Sequence, residues 1–146
     1  GDVPYCDKCG RPWFDMFYNC VIVLAEYNGK YALIRQHSGD GTISEERYVC
    51  VSGYIKSGET AEQAAMREVT EELGIKPDSV RFISTYVYEK KQMLMTGFLA
   101  KLSNGDFSLS DELIAAKWFD KYEADEKLKG SSVAKRLFND IKGAKL

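Results

Sequence analysis

Residues 53–75, GYIKSGETAEQAAMREVTEELGI, place Glu59 in a glycine-bearing loop and Glu68, Glu71 and Glu72 on the helix that follows it. Thr60 with Gln63 three residues later has the form of a capping box, and Gly74 is placed to take the left-handed conformation that ends a helix. The spacing predicts a helix over 61–73. Ala65, Val69 and Leu73 recur every four residues as its buried stripe, with Met66 beside it, and Glu68, Glu71 and Glu72 fall on a neighbouring face. Like charges four apart cost an exposed helix about 0.2–0.5 kcal/mol, and anions toward its C-terminus oppose the helix dipole. Arg67 can pair with Glu71 at i+4 but cannot neutralise all three acids. A bare acidic helix of this kind is compatible with a solvated face. It is equally the donor set of a hard divalent cation, since Mg²⁺ prefers carboxylate and water oxygens.

Outward from this stretch, residues 20–27 and 30–36 flank Asn28-Gly29, two β-rich apolar runs around a type I′ turn, and predict a hairpin. Residues 38–46 read as a loop, with His37 at the strand end before it, and 48–52 as a short strand entering the acidic loop. After the helix, Lys76-Pro77-Asp78 breaks the chain. Strands are expected over 80–88, 92–101 and 115–119, and a closing helix over 131–141 with Val133, Leu137 and Ile141 buried. Strands interspersed with two or three helices predict a layered α/β domain.

The chain has 146 residues, one domain's worth, with a formal charge of −2 and a pI near 5.5. That balance gives no basic footprint for nonspecific nucleic-acid binding, and no apolar run reaches the length of a membrane span. Four cysteines with no disulfide-framework spacing suit a reducing cytoplasm. Cys20 and Cys50, set in apolar runs, read as small buried hydrophobes.

Gly53, Glu59, Arg67, Glu68, Val69, Glu71, Glu72, Gly74 and Ile75 fill every fixed position of the Nudix box, which the stretch resembles. The resemblance implies a Nudix fold, a mixed β-sheet sandwiched between α-helices, and a pyrophosphohydrolase using Mg²⁺ or Mn²⁺. It assigns Glu68 and Glu72 as primary metal ligands, Glu71 as a further ligand or water-orienting group, and Glu112 as a ligand or base from another element. Ser52 contributes its backbone carbonyl, and Arg67 orients Glu59 and the loop.

Over nearly the whole chain the resemblance is closest to the NADH pyrophosphatase group. Cys6 and Cys9 resemble the second half of that group's zinc ribbon, so residues 1–14 read as a ribbon remnant and 15–146 as the single Nudix domain. The ribbon's first half is missing, and a tetrahedral zinc site takes four ligands. Phe14 and Tyr54 match positions where the group's rings stack on substrate; Trp13, Tyr86 and Tyr88 are further candidates for touching a base, or ordinary core and sheet rings. The group's Ser-Gln-Pro-Trp motif is replaced by Thr85-Tyr86-Val87-Tyr88, which keeps a hydroxyl and rings but loses Gln and Pro. Ala134 matches a substrate-contacting position on the closing helix. The implied substrate is a small nucleotide, a dinucleotide such as NADH or NAD⁺ first. ADP-ribose, nucleotide sugars, nucleoside triphosphates and a silent nucleotide-binding domain stay open. The group often pairs as homodimers.

Overall fold

The computed structural model describes residues 2–36, 47–111, 113–128, 130 and 132–144. Its centre is strand β3 (Tyr18–Tyr27), whose unbroken apolar run CVIVLA feeds both faces of a sheet. Cys20, Ile22 and Leu24 enter one core while Val21, Val23 and Ala25 enter the other, the period-two alternation of a strand covered on both sides. Asn28 and Gly29 both take positive φ, 51° and 73°, and turn the chain tightly into β4 (Lys30–Gln36).

Around this hairpin stand β5 (Val51–Tyr54), β6 (Ser79–Tyr88), β7 (Met93–Lys101) and β8 (Leu113–Phe119). The sheet runs β6-β7-β3-β4-β8, with β5 paired to β3 beside the place where β4 leaves off. The β3–β7 pair is parallel and the others antiparallel, so the sheet is mixed as expected. Residues N-terminal to it form a separate small hairpin of β1 (Tyr5–Cys6) and β2 (Arg11–Pro12).

Helix α1 (Ala61–Leu73) covers one face, and α2 (Lys121–Lys127) and α3 (Val133–Gly143) cover the other. The predicted caps of α1 are present: Gln63 N–H donates to Thr60 Oγ1 at 3.1 Å, and Thr60 N–H to Gln63 Oε1 at 2.8 Å. The buried stripe is Ala64, Ala65, Val69 and Leu73; Ala64 rather than Met66 lies fully inside. On the opposite face Phe138 and Leu137 of α3 are wholly buried, each contributing about 1.5–3 kcal/mol of transfer free energy. No helix among the described residues is long and apolar enough to cross a membrane.

Gly74 ends α1 at φ 71°, and its N–H donates to Thr70 O at 3.0 Å. The segment after β7 closes over this end, with Ser108 N–H on Leu73 O at 2.9 Å and Ser110 N–H on Glu72 O at 3.2 Å. A side chain at Gly74 would run into the Ser108 backbone. Gly74→Ala combines left-handed strain with this backbone collision, and is expected to lower the unfolding free energy by about 2–4 kcal/mol. Urea denaturation measures it; a loss below about 0.5 kcal/mol would contradict the packing described.

Candidate active site

Helix α1 turns Glu68 and Glu72 inward, to 9% and 5% exposure, one turn apart. Buried carboxylates are costly unless something balances their charge. For Glu68 part of that balance is Arg67, whose Nη1 lies 2.7 Å from Glu68 Oε1 and 3.2 Å from Glu71 Oε2. The same guanidinium grips Glu59 bidentately, Nε to Oε2 at 3.0 Å and Nη2 to Oε1 at 2.6 Å, and Nη2 also donates to Tyr54 O at 3.0 Å. One side chain therefore fastens the loop, the end of β5 and two acids of α1 together. Hydrogen bonds from Arg67, then from the Lys56 amide, hold the Glu59 carboxyl at about 2, well below its usual range. Glu59 first, then Glu68, raises the Arg67 pKa, keeping it charged.

Gly53 supplies the other half of the arrangement. A side chain on it would overlap the Glu68 carboxylate, so its absence lets that carboxylate lie against the β5 backbone. Glu68, Glu72, Ser52 and Gly53 share the wall of one cavity of about 830 Å³. Among the described residues no group of three or more His, Cys, Asp or Glu side chains is gathered closely enough to hold a metal ion. Two carboxylates beside backbone oxygens nevertheless fit Mg²⁺, which commonly takes one or two carboxylates and fills its remaining positions with water and substrate phosphate. The donors are all hard oxygens.

Tyr54, Tyr88 and Ala134 line the same cavity, so the structure gathers them with Ser52, Glu68 and Glu72. Tyr54 is 55% exposed, with its ring edge-on to Tyr18 at 5.6 Å. Other expected residues lie elsewhere. Tyr86 is buried in the α3-side core and does not line the cavity. Its hydroxyl donates to Asp140 Oδ2 at 2.5 Å, and Arg136 stands 5.1 Å from its ring centroid. Burial first, then Asp140, pushes its phenol pKa up. Tyr86 and Tyr88 point to the same face of β6, but α3 covers the first and leaves the second at the cavity.

Trp13 and Phe14 follow β2, are 63% and 64% exposed, and do not line the cavity. Glu71 is exposed on α1, and its carboxylate shares the Arg67 Nη1 with that of Glu68. Arg67 thus reaches Glu68 at i+1 as well as Glu71 at i+4, a contact that helix spacing alone does not suggest. Glu112 and His37 lie outside the described residues, as do 38–46. At the N-terminus the Cys9 amide points at Cys6 Sγ at 3.4 Å. Hydrogen bonds from Cys9 bring the Cys6 thiol down to about 7. These two thiols alone are half of a tetrahedral zinc shell. Cys20 and Cys50 are buried as expected, burial pushing Cys50 up to about 12, yet both also line the cavity floor.

Arg47, Lys56 and Lys91 also line the cavity. Sequence reasoning missed them. The available signal was position: Arg47 and Lys56 flank β5, and Lys91 follows Tyr88 by one turn. Ser132, the N-cap of α3, and Val133 complete that wall.

The Nudix domain model matches residues 17–141 of the chain. The protein called NAD-capped RNA hydrolase NudC from Salmonella schwarzengrund is 30% identical over 139 residues, and that of Erwinia tasmaniensis 33% over 137. Each alignment covers 92% of this chain and 51% of the relative, so the chain spans about half the length of the curated relatives it matches. Among solved structures, a Nudix hydrolase from Nitrosomonas europaea superposes with a TM-score of 0.68 at 20% identity, covering 94% of this chain and 75% of that one. The Nudix domain of Shewanella oneidensis NrtR, complexed with ADP ribose, gives 0.70 at 13% identity, with 95% and 92% covered. These likenesses at low identity concern the fold, whereas the domain match extends over most of the chain, including the acidic helix and its cavity: the chain belongs to the Nudix family.

Proposed function

We propose that this domain hydrolyses the diphosphate of a nucleoside diphosphate linked to a second group, with a dinucleotide of the NAD type as the leading substrate. The observation that carries the reading is a single cavity bringing the buried Glu68 and Glu72 together with the Tyr54 and Tyr88 rings. The relatives named as NAD-capped RNA hydrolases support the dinucleotide. ADP-ribose is the second reading, favoured by the loss of Gln and Pro at residues 85–88 and by the ligand of the Shewanella fold neighbour.

Nudix enzymes generally use divalent metal ions. Here Glu68, Glu72 and the Ser52 carbonyl would hold Mg²⁺ or Mn²⁺, with Glu112 as a further donor. Such an ion, when bound, screens phosphate charge and makes water nucleophilic near neutral pH. The chain's own residues do the rest. Arg67 fixes the loop and Glu68, so the carboxylates are set before substrate arrives. Arg47 and Lys56 offset the charge of the diphosphate. Tyr54 stacks on the base, and Ala134 keeps the opposite wall smooth. Water attacks one phosphorus, the bridging P–O bond breaks, and the proton released passes to a carboxylate of the acidic set. The products are a nucleoside monophosphate and a second phosphomonoester. We assign zinc no step. Four free cysteines, two of them buried, support a reducing cytoplasm as the setting.

A screen of NADH, NAD⁺, ADP-ribose and nucleoside triphosphates with Mg²⁺ or Mn²⁺, products identified by mass, tests the reading. AMP plus nicotinamide mononucleotide is the expected result from NAD⁺. Glu72→Gln is expected to lower metal-dependent turnover by about 100-fold or more while circular dichroism stays unchanged; near-normal turnover would remove Glu72 from the site. Tyr54→Ala is expected to raise KM more than it lowers kcat, the signature of lost uniform binding. An unchanged KM would end the stacking assignment. For pH, a depressed folded-state pKa stabilises above the ordinary carboxylate range and is lost as pH falls. The Arg67–Glu59 clamp is therefore expected to hold above about pH 5 and to release as pH falls toward about 2. Carboxyl-carbon NMR of Glu59 reads the midpoint directly, and a midpoint in the ordinary range would mean the clamp is not formed in solution.

A further inference from the structure

The cavity has two ends with different chemistry, and a role for the far end rests on the hydrolase reading of the near one. At one end stand Ser52 and Gly53 of β5, the α1 carboxylates, and the cations Arg47 and Lys56. At the other stand Tyr88 and Lys91, on and just beyond the end of β6. The register measures the separation. Tyr54 of β5 pairs with Cys20 of β3, Cys20 with Met95 of β7, and Met95 with Tyr86 of β6. Three strand spacings lie between the two ends, roughly 14 Å. Lys91 follows Tyr88 on the last strand of this path, so it stands at the end of the cavity away from the strand that carries Ser52 and Gly53.

Among the described residues no ion pair involves Lys91. Glu89, the acid of its own turn, lines a separate recess with Phe17, Val87 and Leu94. The floor between the ends, Cys20, Ile22 and Met95, is neutral. Ser132 and Val133 bring the positive end of the α3 dipole to the same wall, which favours an anion there. Lys91 thus lines a cavity whose wall also includes Tyr88 and the N-terminus of α3.

We propose that Lys91 is a specificity-determining residue: it recognises a further phosphate carried on the distal half of the substrate, so that the preferred nucleoside diphosphate derivative is anionic at both ends.

Three compounds sharing the same cleaved bond test this: ADP-ribose, ADP-ribose with a phosphate on C1 of the distal ribose, and ADP-ribose with a phosphate on the 2′ position of the adenosine ribose. The wild-type protein is expected to favour the distally phosphorylated compound over ADP-ribose in kcat/KM. Lys91→Gln is expected to reduce that ratio about tenfold, mainly through KM, and Lys91→Arg to restore most of it. Lys91 is exposed, so the variants test recognition rather than folding. A ratio untouched by Lys91→Gln overturns the proposal, as does an equal loss toward the 2′-phosphorylated compound, which would mark a general charge effect. Calorimetric binding of the same three compounds without added metal separates the two readings. Absence of hydrolysis for every compound counts against the hydrolase reading alone. The assignment of Lys91 then stands if Lys91→Gln abolishes the binding preference for the distal phosphate, and falls if there is no preference to abolish.

Discussion

One guanidinium organises the site. Arg67 binds Glu59 from the loop, the Tyr54 carbonyl from β5, and Glu68 and Glu71 from its own helix. Each contact solves a problem that another element creates. Acids near the C-terminal half of α1 repel one another and oppose the dipole, and a cation among them makes the helix tenable. The loop between β5 and α1 has few apolar side chains to fasten it, and a bidentate arginine–carboxylate pair fixes it in register. A lysine would offer a point charge without the planar fork, and could not hold four partners in defined directions.

The sheet decides where this assembly faces. Because β3 alternates between two cores, α1 and α3 are held on opposite sides of one strand. The cavity is nevertheless lined from both helices, because β5 covers only the first half of β3 and the missing Gly53 side chain leaves room for Glu68. Inward carboxylates cost stability, and large apolar clusters on both faces offset that cost. On the far side the Tyr86–Asp140 hydrogen bond ties α3 to β6. Tyr86 is thus bonded to the helix that begins with Val133 and Ala134 of the cavity wall, and does not itself line the cavity.

The cavity's polarity also separates two kinds of information. The end built by β5 and α1 belongs to a fold that is kept at an identity of 13%. The end beyond β6 is built by Tyr88 and Lys91, at and just after the replaced motif of residues 85–88, and the first turn of α3 lines the same cavity. The residues lining the two ends accordingly come from different strands.

Local rules made much of this legible in the sequence. The capping box, the left-handed glycine, the hairpin turn and the apolar run of β3 each depend on neighbours within a few residues, and each is found where the sequence places it. Glu68 and Glu72 were legible too, since one helical turn puts them on one side. Long-range decisions were not. Nothing local says that α3 covers Tyr86 but spares Tyr88, because both alternate to the same face. Nothing local distinguishes Cys20 and Met95 as cavity floor from core, because apolar side chains serve both. Nor does anything local say that one Arg67 nitrogen bonds both Glu68 and Glu71 while the rest of the guanidinium holds Glu59 across the loop. The sequence by itself determined which groups could do the chemistry, through spacing along single elements. Only the tertiary structure decided which of them share a cavity, because that depends on how separate strands and helices are stacked against one another.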